Sequence, residues 1–313
     1  MMQPEPVQAP VRLYTILLLI FWSCLAHAEI AGKNDCRPAQ PQAQEEMSLD
    51  YSSAVLWKIS RDGLKPSYIF GTIHVSDPAI TTLPPVVREK LDSTSVFVME
   101  ALPDSEEVER FSNRMFFNDG TTLRDFLDDD LLKLTNSIMG HYNYSPEAVI
   151  LMKPWAAFLI MNYPAEEGIP LDLKLLKIAR NNGAKLHGLE TLTEQAEIFS
   201  NFNLKTQVRF LLDTICNYDI LNNDFEIMKS LYLKRDLNAL YSYSNKYTFS
   251  QEKIYKDLVK KILTDRNRIM ADRMQSILAK GDAFIAIGAL HLPGTDGVLS
   301  LLAGRGYRVT AVY

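Results

Sequence analysis

Two stretches of this sequence are apolar without a break and too short to be helices: Val96-Phe97-Val98-Met99 and Ala283-Phe284-Ile285-Ala286-Ile287. A strand that is apolar on both faces needs cover on both faces, which is the situation of inner strands in a parallel sheet packed between helices. Other strand-like segments accompany them. Ala54–Ile59 and Pro66–Gly71 flank the turn residues Arg61-Asp62-Gly63 and read as a hairpin. Lys185–Gly188 is a brief strand, and Tyr307–Val312 is the last one. Pro84-Pro85 opens a helix through about Leu91. Segments near 105–117, 121–139, 146–162 and 170–181 carry apolar residues at three- and four-residue spacing. From Leu204 to Lys280 almost everything reads as helix, with breaks near Asp236 and Tyr247–Ser250. The expectation is an α/β fold: a mixed central sheet formed by N- and C-terminal strands, flanked and capped by many helices.

The N-terminal end is a different material. Arg12 precedes an apolar run from Leu13 to Trp22, and Ala26-His27-Ala28 follows. The run falls short of the ~20 residues that span a bilayer, and the small-residue pattern is that of a secretory signal peptide. The expectation is a signal peptide over 1–28, a disordered leader over 29–50 rich in Pro, Gln and Glu, and one folded domain over 51–313. It carries with it a periplasmic or secreted location and no stable membrane span after signal cleavage; an uncleaved anchor is the alternative. Over 313 residues, 47% hydrophobic and 23% charged composition excludes wholesale disorder. A net charge of −5 without a long block of like charge speaks against nucleic acid as a partner. Cys24 leaves with the signal, so Cys36 and Cys216 remain. They either form a bridge or leave Cys216 as a free thiol on an apolar helix face.

The chemistry-bearing residues sit at strand ends. Gly71-Thr72-Ile73-His74 and Gly288-Ala289-Leu290-His291 share one local frame: an apolar strand closing on glycine, then histidine three residues on. Glu100 ends the strand Val96–Met99, and Glu190 follows Lys185–Gly188. Ligands and catalytic groups in α/β sheets gather beyond the carboxyl ends of strands. A carboxylate there is costly to bury unless it is paired or coordinates something. Two His and two Glu match the N/O chemistry of a divalent metal such as zinc, manganese or cobalt, with one carboxylate left as base toward a bound water. The plainer readings stand beside this: Glu100 paired with a buried arginine, Glu190 capping the helix near Thr191–Thr193. Arg266 lies in the expected helix Lys261–Leu278 and faces either a site or solvent. Met270 and Met274 read as core. His141 and His187 lack the frame and read as structural or exposed.

At these residues the sequence resembles the TraB/GumN (TraB/PrgY/GumN) family. The resemblance runs through Leu56-Trp57-Lys58-Ile59, Tyr68 to Val75, Val96 to Glu100, Leu171-Asp172, Gly188-Leu189-Glu190-Thr191 with Gln195, Arg266-Asn267, Ala286 to Gly294, and Gly306-Tyr307-Arg308-Val309. It covers about 52–313. It implies a fold related to the erythromycin-esterase-like and ChaN-like group, and likeness to Tiki-type metalloproteases. By position it implies an active site of His74, Glu100 and His291, with His74, Glu100 and His291 as metal ligands and Glu100, Glu190 and Arg266 as catalytic candidates. Three functions follow as expectations. The first is a metal-dependent hydrolase cleaving a peptide or small-molecule ester outside the cytoplasm. The second is a non-catalytic protein binding a metal, haem or another ligand in the same pocket. The third is a regulatory interaction protein.

Overall fold

The computed structural model describes residues 30–42 and 48–313. The expected signal peptide lies outside the described residues. Six strands form one sheet in the order β4-β3-β5-β2-β1-β6. They are β1 (Leu56–Ser60), β2 (Ser67–Thr72), β3 (Val96–Ala101), β4 (Lys185–Glu190), β5 (Ala283–Gly288) and β6 (Arg308–Ala311). β1 and β2 pair antiparallel as the expected hairpin, and Gly63 in its turn takes φ +80°. β6 adds antiparallel to β1. β2, β5, β3 and β4 are mutually parallel neighbours, so their carboxyl ends share one edge. The two uninterrupted apolar stretches are the adjacent inner strands β3 and β5, and β5 is buried from Ala283 through Ile287. The fold is α/β as expected, with one addition: the edge strand β4 comes from the middle of the chain.

The apolar residues divide into two clusters. One surrounds the sheet, with Ile69, Phe97 and Phe284 at its centre and Leu175, Met270, Met274 and Leu299 from covering helices. The other is mostly helical, built on Trp155, Phe210 and Leu211 with Met152 from the break between two helices. The helical cluster thus forms a cap over the carboxyl edge of the sheet. Two expected helices are shorter than their periodicity suggests. The one near 121–139 begins only at Asp129, where Asp128 caps it by accepting from the Leu131 N–H. The one near 146–162 breaks at Met152-Lys153, because Pro154 supplies no N–H and starts a new helix.

The expected leader is not free over Ile30–Gln42. Cys36 is bridged to Cys216, at the end of the helix Leu204–Cys216. Arg37 pairs with Asp213 and Glu252, each at 2.5 Å. The backbone N–H of Gln42 donates to the Lys246 carbonyl, and that of Thr248 to the Gln40 carbonyl. Composition predicts solvation here because it counts apolar residues; this strap is held by ion pairs, backbone bonds and one covalent link.

Candidate active site

The register of the parallel strands aligns the two glycine-histidine motifs: Thr72 of β2 lies opposite Gly288 of β5. Past that level the two chains diverge. After β2 the chain reaches His74 directly, while after β5 it folds into the short 3-10 turn Ala289–His291. The glycines make this possible by approach. A Cβ on Gly71 would stand 2.7 Å from Leu292 and 3.0 Å from the Ala289 backbone, so the second motif packs where that side chain would be. A Cβ on Gly288 would meet both Glu100 and His291 at 3.3 Å. Its absence lets the Glu100 carboxylate accept the Gly288 N–H at 2.7 Å.

His74, Glu100, Arg266 and His291 line one cavity of about 950 Å³ between the sheet edge and the helical cap. His74 is half exposed into it and holds Asp172 through Nδ1 at 2.9 Å. Asp172, buried, also accepts the Thr72 hydroxyl. Burial works against charge on His74, but the Asp172 carboxylate outweighs it and raises the imidazole to about 9. At neutral pH His74 is therefore a cation with Nε2 left for the cavity. Tyr163 stands edge-on to its ring at 5.4 Å, its phenol pushed up to about 12 by burial.

Glu100 sits at the centre of an ion cluster. Arg266 Nη2 donates to it at 2.6 Å and to Glu190 at 2.8 Å, while Gln195 bridges both carboxylates. Burial alone would push the Glu100 carboxyl up. Arg266, the two imidazoles and the Gly288 N–H outweigh burial and hold it far below the usual carboxylate range. Glu190 stands behind Arg266, in a separate hollow with Glu194 and Arg273, and anchors the guanidinium rather than facing the main cavity. It does not cap the following helix; Thr191 does that, with Glu194 closing the capping box. Arg266 arrives from a π-helical turn, Lys260–Asp265, which the expected continuous helix did not contain. Such wide turns recur at functional sites.

His291 is buried and neutral. Asn267 Nδ2 donates to the Asp296 carbonyl at 2.8 Å, which turns its Oδ1 toward His291 Nδ1 at 2.6 Å. The proton therefore sits on Nδ1, and Nε2 carries the lone pair, 3.3 Å from Arg266 Nη1. Burial, with Arg266 nearby, lowers this imidazole to about 4 against the pull of Glu100.

Of the residues expected at the site, His74, Glu100, Arg266 and His291 line this cavity and Glu190 lies behind Arg266 in the separate hollow; three residues not expected there support them: Asp172, Asn267 and Tyr163. The first two lie within segments of the family resemblance, Leu171-Asp172 and Arg266-Asn267, which carry no sign of their roles. Tyr163 has no sequence signal. His141 and His187 are exposed and lie outside the cavity lining.

The model of the TraB/PrgY/gumN family matches residues 55–311. The chain belongs to this family. Among curated relatives, Metalloprotease TIKI2 of Xenopus tropicalis is 26% identical over 334 residues, which cover 86% of this chain and 61% of that protein. Metalloprotease TIKI2 of Danio rerio is 23% identical, covering 91% of this chain and 66% of the relative. Metalloprotease TIKI1 of Homo sapiens is 24% identical, covering 89% and 64%. The chain spans roughly two thirds of the length of the curated relatives it matches. No solved structure is significantly similar to it. Among the described residues no helix is long and apolar enough to cross a membrane.

A divalent ion is the group that the family resemblance implies. The donor types suit one, since each imidazole engages an outer partner through Nδ1, the arrangement that orients ligating histidines. Their placement does not. Among the described residues no three His, Cys, Asp or Glu side chains are grouped to hold an ion. Arg266 already occupies Glu100 and the Nε2 of His291. The chemistry open to the site as arranged is that of the chain's own groups.

Proposed function

We propose that this chain is an exported hydrolase that cleaves an amide or ester bond in a peptide or small molecule outside the cytoplasm. One observation carries the reading: His74, held protonated by buried Asp172, and the anionic Glu100 face one cavity at the edge shared by parallel strands. His74 Nε2–H is suited to bind a substrate carbonyl oxygen and to stabilise the negative charge that develops on it. It is also the group able to return a proton to the leaving oxygen or nitrogen. Glu100 stays anionic and keeps lone pairs beyond those taken by Arg266 and Gly288, so it can accept from the attacking water. Arg266 and Gly288 hold that carboxylate in place. The relatives' name is metalloprotease; a metal-dependent form of the reaction, with His74, Glu100 and His291 around manganese, cobalt or zinc, would require Arg266 to leave Glu100 and His291 first. A non-catalytic ligand-binding or regulatory role is favoured by one observation, that Arg266 already pairs with Glu100 and stands against the Nε2 of His291.

The deciding experiment is turnover of ester and peptide substrates by purified mature protein, with and without added manganese, cobalt or zinc, beside its metal content. Glu100→Gln is the matching variant. Glu100 and Glu190 place two negative charges on one guanidinium, so the amide leaves a balanced Arg266–Glu190 pair. The variant is expected to melt within about 1 kcal/mol of wild type and to lose at least about a hundredfold in turnover. Wild type inactive on every substrate under every metal condition would leave the binding or regulatory reading.

The pH profile gives a second check, made on metal-free protein. A histidine whose value is raised keeps its proton up to the raised value. Wild-type turnover should therefore hold through neutrality and fall as pH rises through about 9. Asp172→Asn removes the larger of the two charges that raise it and leaves only Glu100 against burial and Arg266. The falling limb should move to lower pH. An unmoved limb would assign the titration to a group other than His74.

A further inference from the structure

We infer that the cavity above the site takes a single long acyl chain, so that the bond cleaved belongs to a long-chain acyl ester or amide. This rests on the hydrolase reading. The cavity, about 950 Å³, lies at the top of the ~300–1,000 Å³ range of small-molecule pockets. Its walls are apolar side chains from five helices: Phe158, Phe199, Leu221, Phe225, Leu240 and Leu258. The carboxylates and side-chain amides among the helical wall residues are already engaged by the protein, and the hydroxyls of Ser112, Tyr144 and Tyr163 are the polar groups left along the wall. Asp213 is taken by Arg37, Arg209 and Tyr255. Asp224 accepts from Tyr243, Lys246 and Tyr247. Asn217 bonds the Arg37 and Asp213 carbonyls and the Ala39 N–H, and Asn162 bonds the Phe158 carbonyl. An extended peptide threaded here would bury an amide at every residue against walls most of whose hydrogen-bonding groups are used, at a cost for each unpaired amide. An alkyl chain has no such groups, and each methylene it removes from water strengthens binding by up to about fourfold. Polarity is concentrated at the sheet edge, where His74, held by Asp172, and Glu100 face the cavity. The whole is amphipathic in the sense of a fatty acyl group: a polar floor for the carbonyl and an apolar wall for the chain. In hydrolysis the acyl carbon–oxygen or carbon–nitrogen bond breaks, water supplies the hydroxyl to the acyl carbon and a proton to the leaving group, and a free fatty acid results.

The test separates the chain from the chemistry. cis-Parinaric acid, a fluorescent long-chain fatty acid, is titrated into the intact oxidised protein, and p-nitrophenyl acetate, octanoate and palmitate are compared as substrates. The expected result is one-to-one binding at micromolar concentration and kcat/KM rising at least tenfold from acetate to palmitate. Leu221→Trp and Phe225→Trp fill the wall and should each lower the palmitate-to-acetate ratio about tenfold. Should both variants fail to fold, the wild-type series decides alone. Equal kcat/KM along the series with no parinaric acid bound would overturn the inference and leave the hydrolase reading standing. Displacement of the probe by an apolar peptide but not by palmitate would also overturn it. Binding of the fatty acid without cleavage of any ester would uphold the chain site and remove the hydrolase reading.

Discussion

Arg266→Met should lower stability by about 3–5 kcal/mol, the usual loss when one partner of a buried ion cluster is removed. Methionine replaces the aliphatic stem and deletes the charge. Glu100 and Glu190 would then remain with side chains 16% and 4% exposed and no cation between them. Two close carboxylates without a counter-ion cannot both stay ionised, so at least one would be raised well above its unfolded value. A raised carboxyl costs stability progressively as pH rises from the unfolded value toward the folded one, because the unfolded chain releases a proton that the folded chain must keep. The variant should thus be weakest near pH 8 and partly recover near pH 5, as urea melts at the two pH values would read. Adding Glu100→Gln and Glu190→Gln should restore most of the loss, since replacing all partners removes the stranded charge. Arg266→Lys should fall between, because an ammonium cannot reach both carboxylates and the Ile262 carbonyl with one fork. Wild-type stability of Arg266→Met at both pH values would mean that the carboxylates reach water, and the account of a closed cluster would fail.

That cluster marks the limit of what the sequence discloses. β3 and β5 are legible because their burial on both faces leaves no polar residue to interrupt them, and the shared frame of the two Gly-x-x-His motifs follows from their place at neighbouring strand ends. Strand-end position also foretold that His74, Glu100 and His291 would share an edge. It could not foretell what holds them. Glu100 was read as free for chemistry or paired with a buried arginine, and the structure gives it the arginine as well as an open side. Arg266 reaches it through a π-helical turn that has no periodicity signal of its own. The helix once read across 121–139 shows the same gap from the other direction. Apolar spacing continues upstream of Asp129, but those residues fill the helical cluster from a short 3-10 turn, Leu123–Asp125. Asp172 and Asn267 act only by contact with histidines far away in the sequence, and no local pattern announces that.

The strap over Ile30–Gln42 yields the other large effect. Cys36 and Cys216 are 180 residues apart, so their bridge closes a loop spanning most of the described chain. In the chain-entropy account a loop of this size restricts the unfolded state by about 5 kcal/mol, and measured effects often run lower. Cys36→Ser with Cys216→Ser should therefore lose about 3–5 kcal/mol, a fall in melting temperature on the order of 10 °C. Reduction of the wild type should reproduce it. The loss should not be confined to the strap. Arg37, beside Cys36, is one of two arginines on buried Asp213, and Ala39 contributes to the cavity wall. Once the covalent link is gone, opening of the strap would take Arg37 from Asp213 and let water into the cavity, so fatty-acid binding should weaken together with stability. Arg37→Met in the oxidised protein separates the two contributions, since it removes the charge and leaves the bridge. If the serine double variant melts within about 2 °C of wild type and binds parinaric acid equally well, the ion pairs alone hold the strap. Stability that depends on the bridge instead requires an oxidising compartment, which agrees with an exported chain and not with one working in a reducing cytosol.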